Sequence, residues 1–179
     1  MKLALIIGHS AKHQGAKLYS GHSEWSWHQD MIHKYLYSRL PLITDAFEIF
    51  WRRADLPYEE AMKDLAEQVS LFGASLVVEL HVNAFNGVQV AKGCEFIWNN
   101  TEAHKFGAIW AKKMQNFYSI KLRNSNASRG KYNVEVMDCP AILLEPCFGD
   151  VEHRESRAII EDPATYAALI AETIMEYSF

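Results

Sequence analysis

The chain has 179 residues, 49% hydrophobic and 22% charged, which is typical of one folded domain rather than a disordered segment. Its net charge of -4 argues against nucleic acid as the main partner, because phosphate binding needs a basic surface. No apolar stretch approaches the about 20 residues of a membrane helix, and Leu3 to Ile7 is too short for a secretory signal. We therefore expect synthesis in the cytoplasm without a signal peptide, and no stable membrane association.

Strand and helix patterns alternate along the chain. The predicted elements are a strand over 3–7, a helix over 23–40, a strand over 46–51, a helix over 57–72, strands over 75–82 and 94–98, a helix over 103–118, a strand over 141–145 and a helix starting at 162–163. Strands separated by helices of about 10–15 residues predict a single α/β domain. We expect a mostly parallel, twisted sheet of five to six strands flanked by helices.

Local signals set the bounds of several helices. Ser23 is a suitable cap for the first helix, and Pro41 should end it. Pro57 and Gly73 bracket the second helix. In the helix over 103–118, periodicity predicts that three aromatic side chains face inward. These are Phe106, Trp110 and Phe117.

Two histidines and a glutamate fall at the ends of predicted strands. His9 follows the first strand, His81 lies near the end of the third, and Glu145 ends the strand over 141–145. Glu24 opens the first helix, on the segment that leaves His9. Parallel sheets bind ligands at the carboxyl ends of their strands. Two imidazoles and a carboxylate form the ligand set of catalytic zinc hydrolases, and a second carboxylate is needed to move the proton of the attacking water.

The three cysteines do not suggest a thiolate metal site. Cys94, Cys139 and Cys147 are widely spaced, and no pair has the CxxC spacing of zinc ligands. Their odd number favours reduced thiols.

In chain order, the motifs around these residues resemble those of the zinc-dependent N-acetylmuramoyl-L-alanine amidases of bacterial cell-wall enzymes and phage endolysins. Gly8–Ser10 is similar to the family's Gly-His-Gly-like turn, Glu24 to its helix-start glutamate, and Trp51–Asp55 to its Thr-Arg-x-x-Asp motif. Further along, Glu79–Ala84 is similar to Ser-x-His-x-Asn-Ala, Gly93–Trp98 to Gly-x-x-x-aromatic, and Pro140–Phe148 to Pro-Ala-x-Leu-x-Glu-x-Gly-Phe. The resemblance covers essentially the whole chain. It implies one Zn²⁺ ion on His9, Glu24 and His81, with Glu145 as the catalytic carboxylate.

The chain departs from the family pattern at a few positions near these motifs. Ser10 replaces the second glycine, Glu79 the usual small residue, and Cys147 the glycine after the catalytic glutamate, while Gly149-Asp150 stands where a small residue and asparagine are common. These departures bear on loop shape and substrate preference. The segment between His81 and Gly93 is too short for the blocking helix of regulated relatives, so we expect an enzyme that is active as made.

The resemblance implies cleavage of the amide bond between N-acetylmuramic acid and L-alanine in peptidoglycan. Asn83 and Arg129 are candidate substrate contacts. We expect one catalytic domain over 1–179 without a separate cell-wall-binding domain, acting as a monomer. The organisation suggests a phage endolysin that reaches the wall after holin-dependent release.

Three alternatives remain open at this point. One is a host wall-remodelling or spore-associated amidase. Another is a peptidoglycan-binding module that keeps the fold without catalysis. The third is a zinc carboxypeptidase or other amidohydrolase that uses the same metal ligands on a different amide.

Overall fold

The computed structural model describes residues 1–88, 90–123 and 130–178. One five-stranded sheet contains β1 (Lys2–Ile7), β2 (Ala46–Trp51), β3 (Leu76–Leu80), β4 (Glu95–Trp98) and β5 (Ala141–Glu145). The order across the sheet is β2-β1-β3-β5-β4. Strands β2, β1, β3 and β5 run parallel, and β4 pairs antiparallel with β5 at the edge. The predicted α/β fold with a mostly parallel sheet is confirmed.

Helices cover both faces of this sheet. The α-helices in the described ranges are α1 (Glu24–Met31), α2 (Tyr58–Phe72), α3 (Thr101–Lys113), α4 (Lys131–Glu135), α5 (Arg154–Ile160) and α6 (Pro163–Ser178). Side chains of α1, α3 and α6 share one buried apolar cluster, and those of α2 and α4 share another. The two clusters lie on opposite faces of the sheet, so the sheet is the middle layer of three.

Alternation along the strands explains why both faces are apolar. In β1, Leu3, Leu5 and Ile7 belong to one cluster, whereas Ala4 and Ile6 belong to the other, and all five are fully buried. Successive side chains of a strand point to opposite faces, so a parallel strand covered on both sides is apolar throughout. This arrangement brings the carboxyl ends of β1, β3 and β5 to one edge.

The second helix ends where its sequence signals predict. It begins after Pro57, and Gly73 caps its end in the left-handed conformation with φ 73°. Met62, Leu65 and Val69 are buried beneath it. A residue with a side chain would be strained at the glycine's φ, so this position ends the helix sharply.

Two helix predictions were wrong in detail. The first helix passes into a π-helical turn over Ile32–Leu36 and does not continue to Leu40, which begins a separate 3₁₀ turn over Leu40–Leu42. Phe117 does not face inward but is 67% exposed. It lies in a π-helical turn over Met114–Tyr118, and the wider turn directs Met114 and Tyr118 into the core instead.

Helices α4 and α5 were not predicted. Each spans only 5 to 7 residues, too short for a hydrophobic period to stand out. In the described ranges, no helix is both long and apolar enough to cross a membrane. The three cysteines are free thiols, as expected.

Candidate metal centre

His9, Glu24 and His81 meet at the carboxyl edge of the sheet. Nε2 of His9 lies 3.0 Å from Oε2 of Glu24, and Nδ1 of His81 lies 2.8 Å from Oε1 of the same carboxylate. Glu24 and His81 are buried, with 2% and 8% of their surface exposed, whereas His9 is half-buried at the rim. The two strand ends and the helix start therefore bring together the three predicted ligands.

The backbone around His9 is built closely around the cluster. His9 has a φ of 72°, a left-handed conformation that is uncommon for a residue with a side chain and often marks a functional site. Gly15, at φ 76°, packs so closely that a Cβ there would lie 2.5 Å from Cδ2 of His9 and 2.6 Å from Oε2 of Glu24. At Gly8 a Cβ would lie 2.6 Å from the His81 ring. These glycines let the chain pass directly against the ligands.

Glu24 is fixed by its position in the first turn of α1. Ser23 caps this helix, as predicted, because its side chain accepts a hydrogen bond from the backbone N–H of Ser26. The Glu24 carboxylate accepts backbone N–H groups from Val82 at 2.9 Å and Ala16 at 3.2 Å. A carboxylate at a helix N-terminus is stabilised by the helix dipole. Each oxygen of Glu24 is therefore held by a backbone N–H from a different segment of the chain.

Short contacts within the cluster shift the pKa values of Glu24 and His81 in opposite directions. Burial alone would raise the pKa of Glu24, but hydrogen bonds with His81 and His9 hold this pKa well below its usual value. Burial alone would lower the pKa of His81, but its contacts with Glu24 and Glu79 raise it to about 10. Glu24 therefore keeps its negative charge, and His81 holds a proton that a metal ion bound to its ring would displace.

His81 has a second carboxylate partner that sequence reasoning did not assign. Its Nε2 lies 2.9 Å from Oε1 of Glu79, which is 1% exposed in the central strand β3. Asn133 of α4 donates a second hydrogen bond to the same oxygen at 2.7 Å and accepts one from the hydroxyl of Tyr58. The only sequence signal was a charged residue within an otherwise apolar strand.

An open cleft of about 500 Å³ contains the cluster and the predicted catalytic carboxylate. Glu145, 8% exposed at the end of β5, lines this cleft together with the three clustered residues. Arg52 and Tyr58 line it as well, with the guanidinium 5.1 Å from the centre of the tyrosine ring. Two carboxylates, three imidazoles (His13 is the third) and a cationic side chain thus face one solvent-accessible space.

The two candidate substrate contacts have different outcomes. The side chain of Asn83 donates to Oε2 of Glu95 at 2.9 Å and accepts the backbone N–H of Ala84, so it also shapes its own loop. Its role toward substrate stays a prediction. Arg129 lies within 124–129, outside the described residues.

The residues that depart from the family pattern contribute to the loops at this edge. Oγ of Ser10 accepts the backbone N–H of His13 at 3.2 Å, which closes a tight turn. Asp150 accepts the backbone N–H groups of Phe85 at 3.0 Å and Gly87 at 2.7 Å. The turn after His9 and the loop after His81 are therefore held by these side chains.

The donor set fits a zinc ion. The ligand atoms of His9, Glu24 and His81 lie within 4.8 Å of one another. Ligands on a tetrahedral zinc ion, with bonds of about 2.0–2.2 Å, lie roughly 3.3 Å apart. Two nitrogens and one carboxylate oxygen are also the ligand types of catalytic zinc sites. The three side chains can hold a metal ion.

Comparisons with known proteins agree with this geometry. A family model described as N-acetylmuramoyl-L-alanine amidase matches residues 3–176. A search of curated protein sequences gave no significant match.

Three solved structures are similar over nearly their full lengths. The catalytic domain of CwlV, an N-acetylmuramoyl-L-alanine amidase from Bacillus (Paenibacillus) polymyxa var. colistinus, has a TM-score of 0.77 and 24% identity, covering 99% of this chain and 98% of that one. AmiC2 of Nostoc punctiforme has a TM-score of 0.75 and 21% identity, with 98% and 96% covered. The catalytic domain of the CD27L endolysin, targeting Clostridia difficile, has a TM-score of 0.75 and 19% identity, covering 98% of this chain and 97% of that one.

Proposed function

The chain belongs to the N-acetylmuramoyl-L-alanine amidase family, and we propose that it hydrolyses the bond between N-acetylmuramic acid and L-alanine in peptidoglycan. We further propose that one zinc ion is held by His9, Glu24 and His81, and that Glu145 is the catalytic carboxylate. The observation that carries the proposal is the placement of all four side chains in one open cleft.

Zinc, when bound, supplies Lewis-acid polarisation of a carbonyl group and of a water molecule. Glu145 takes the proton of the attacking water and delivers it to the nitrogen of the departing L-alanine. Water adds to the carbonyl carbon and the carbon–nitrogen bond breaks, which leaves the lactyl carboxylate and a free amine. Glu24 keeps its negative charge because both imidazoles contact it.

The openness and extent of the cleft also support a large substrate. It is open to solvent and lies along the edge formed by β1, β3 and β5, and a second cavity of about 320 Å³ adjoins it. Both cavities share His13, Arg52 and Tyr58 as lining residues. This extended surface suits a polymer whose scissile bond lies between a glycan and a peptide.

The test is mass spectrometry of purified peptidoglycan after digestion. We expect stem peptides that begin with L-alanine, intact glycan strands, loss of release after chelation, and recovery when zinc is restored. Release at a different amide would contradict the assigned bond and favour another amidohydrolase. Wall binding without release from any of several wall types would favour a non-catalytic module.

The role of Glu145 needs a matched pair of variants. E145Q should bind zinc as the unaltered protein does but lose about 10²- to 10⁴-fold in rate, because proton transfer fails. E48Q removes a carboxylate from an exposed position on β2 and should remain fully active. Equal activity of E145Q and E48Q would remove Glu145 from its proposed role.

We propose a lytic biological role, in which the chain acts as a monomeric endolysin that is made in the cytoplasm and reaches the wall after release. Support comes from the likeness to the catalytic domain of an endolysin over 98% of this chain. Expression in a susceptible host should leave cells intact until the membrane is permeabilised, and then lyse them. Normal turbidity after permeabilisation would favour a wall-remodelling or spore-associated role instead.

A further inference from the structure

We propose that Glu79 is a positioning residue that fixes the proton of His81 on Nε2 and directs Nδ1 toward the metal. This inference rests on the zinc site proposed above and goes beyond it, because it names what orients one of the ligands. It concerns a carboxylate that the function has not otherwise used.

The location of Glu79 makes its partners important. It lies in the central strand, between Ile6 of β1 and Leu143 of β5, and is 1% exposed. A carboxylate removed from water costs several kcal/mol unless it is paired and hydrogen-bonded. Burial of Glu79 is therefore tolerated only if its charge is compensated, and the contacts of its Oε1 show where that compensation comes from.

The first contact sets the tautomer of His81. A carboxylate oxygen can only accept, so Nε2 of His81, 2.9 Å from Oε1 of Glu79, must carry a hydrogen. The other nitrogen also faces a carboxylate oxygen, so its hydrogen is the one that a bound zinc ion would replace. That nitrogen is Nδ1, which lies 2.8 Å from Oε1 of Glu24 at the centre of the cluster.

This arrangement matches a general feature of metal-bound histidines. Such a histidine almost always donates its second N–H to a carboxylate, a backbone carbonyl or water, which fixes the ring orientation and makes the ligating nitrogen more basic. Glu79 lies in β3 and His81 directly follows this strand, where its backbone N–H still donates to Leu144 of β5 at 2.9 Å, so the two side chains point to the same face of the sheet. The pairing is thus set by the end of β3 and the residue that follows it.

The second contact holds Glu79 in turn. Nδ2 of Asn133 donates to Oε1 of Glu79 at 2.7 Å, and Oδ1 of Asn133 accepts from the hydroxyl of Tyr58. Asn133 is 4% exposed in α4, and Tyr58 begins α2 at the wall of the cleft. Two helices, α2 and α4, therefore support the orientation of His81 toward Glu24.

The main test compares zinc affinity in E79Q and in the control E48Q by competition with a chromogenic chelator. The glutamine keeps the shape of the side chain but removes its charge. We expect E79Q to bind zinc about 10- to 100-fold more weakly and E48Q to bind as the unaltered protein does. Affinities of E79Q and E48Q within about twofold of each other would overturn the proposal.

A second measurement remains informative if E79Q does not fold. Nitrogen-15 NMR of the histidine rings in the unaltered, zinc-loaded protein should show His81 with its hydrogen on Nε2 and the metal on Nδ1. The opposite tautomer would overturn the proposal. An unaltered protein that binds no zinc would instead refute the proposed function itself, so the two failures are distinguishable.

Discussion

His28 is expected to make the protein sensitive to acid. It lies in α1, one turn after Glu24, with no surface exposed, and its ring contacts Trp27 at 5.0 Å between centroids. Burial lowers its pKa to about 3 from the ordinary value of 6.5, and the charges of His81 and His9 act in the same direction, whereas Glu24 opposes them. His28 is therefore neutral in the folded protein at every pH where the fold is expected to persist.

The sign and size of the effect follow from the difference between these two pKa values. Between pH 6.5 and 3 the unfolded chain binds a proton at His28 that the folded chain does not bind. The stability linked to His28 is therefore fully present above pH 6.5 and is lost as the pH falls. At about 1.4 kcal/mol per pH unit, the loss from pH 7 to pH 4.5 is about 2–3 kcal/mol.

The assay is urea unfolding at pH 7 and pH 4.5, with a chelator present throughout so that metal occupancy does not vary. H28L should lose about 2–3 kcal/mol less than the unaltered protein between the two conditions. The variant should fold, because His28 is neutral in the folded protein and leucine fills much of the volume of its ring. H33L, at an exposed histidine nearby, is the control and should keep the original loss. An identical loss in all three proteins would contradict a lowered pKa of His28.

Further predictions concern close packing and thiol reactivity. G15A should weaken zinc binding at least about tenfold, because its Cβ would lie 2.6 Å from Oε2 of Glu24; a chelator titration that shows unchanged affinity would contradict this. G107A should lower the free energy of unfolding by about 1–2 kcal/mol, since its Cβ would lie 2.4 Å from the Phe96 ring, and urea unfolding that shows a gain would contradict it. The cysteine thiols should resist iodoacetamide at neutral pH until urea is added, because burial raises their pKa values, and equal labelling in both states by mass spectrometry would contradict this. The thiols are those of Cys94, Cys139 and Cys147.

Features that depend on a few neighbouring residues could be predicted from the sequence. The end of α2 at Gly73 and the cap of α1 at Ser23 are local, because each needs only its own turn of chain. The π-helical turn that exposes Phe117 depends instead on how the helix packs against its neighbours. The antiparallel direction of β4 is also non-local, since it depends on the path that the chain takes before it returns as β5.

The candidate metal ligands could be identified because the parallel sheet fixes where strand ends meet. His9 follows β1, His81 follows β3, and Glu24 begins the helix α1 that comes after β1. The order of elements alone therefore brings these three residues to one edge of the sheet. The order of elements does not predict the orientations of their side chains. Which nitrogen of His81 faces Glu24 depends on what binds the other nitrogen.

Glu79, which contacts Nε2 of His81, shows why the sequence does not predict the whole site. A glutamate in the buried strand β3 signals a costly charge, but the signal does not identify which groups compensate it. One partner, Asn133, comes from a short helix 54 residues away that has no sequence signature of its own. The amide must approach the strand from the same face as His81 for both groups to reach one oxygen of Glu79. The ligand set therefore follows from the fold class, whereas the orientation of a ligand follows from the packing of particular helices against the sheet.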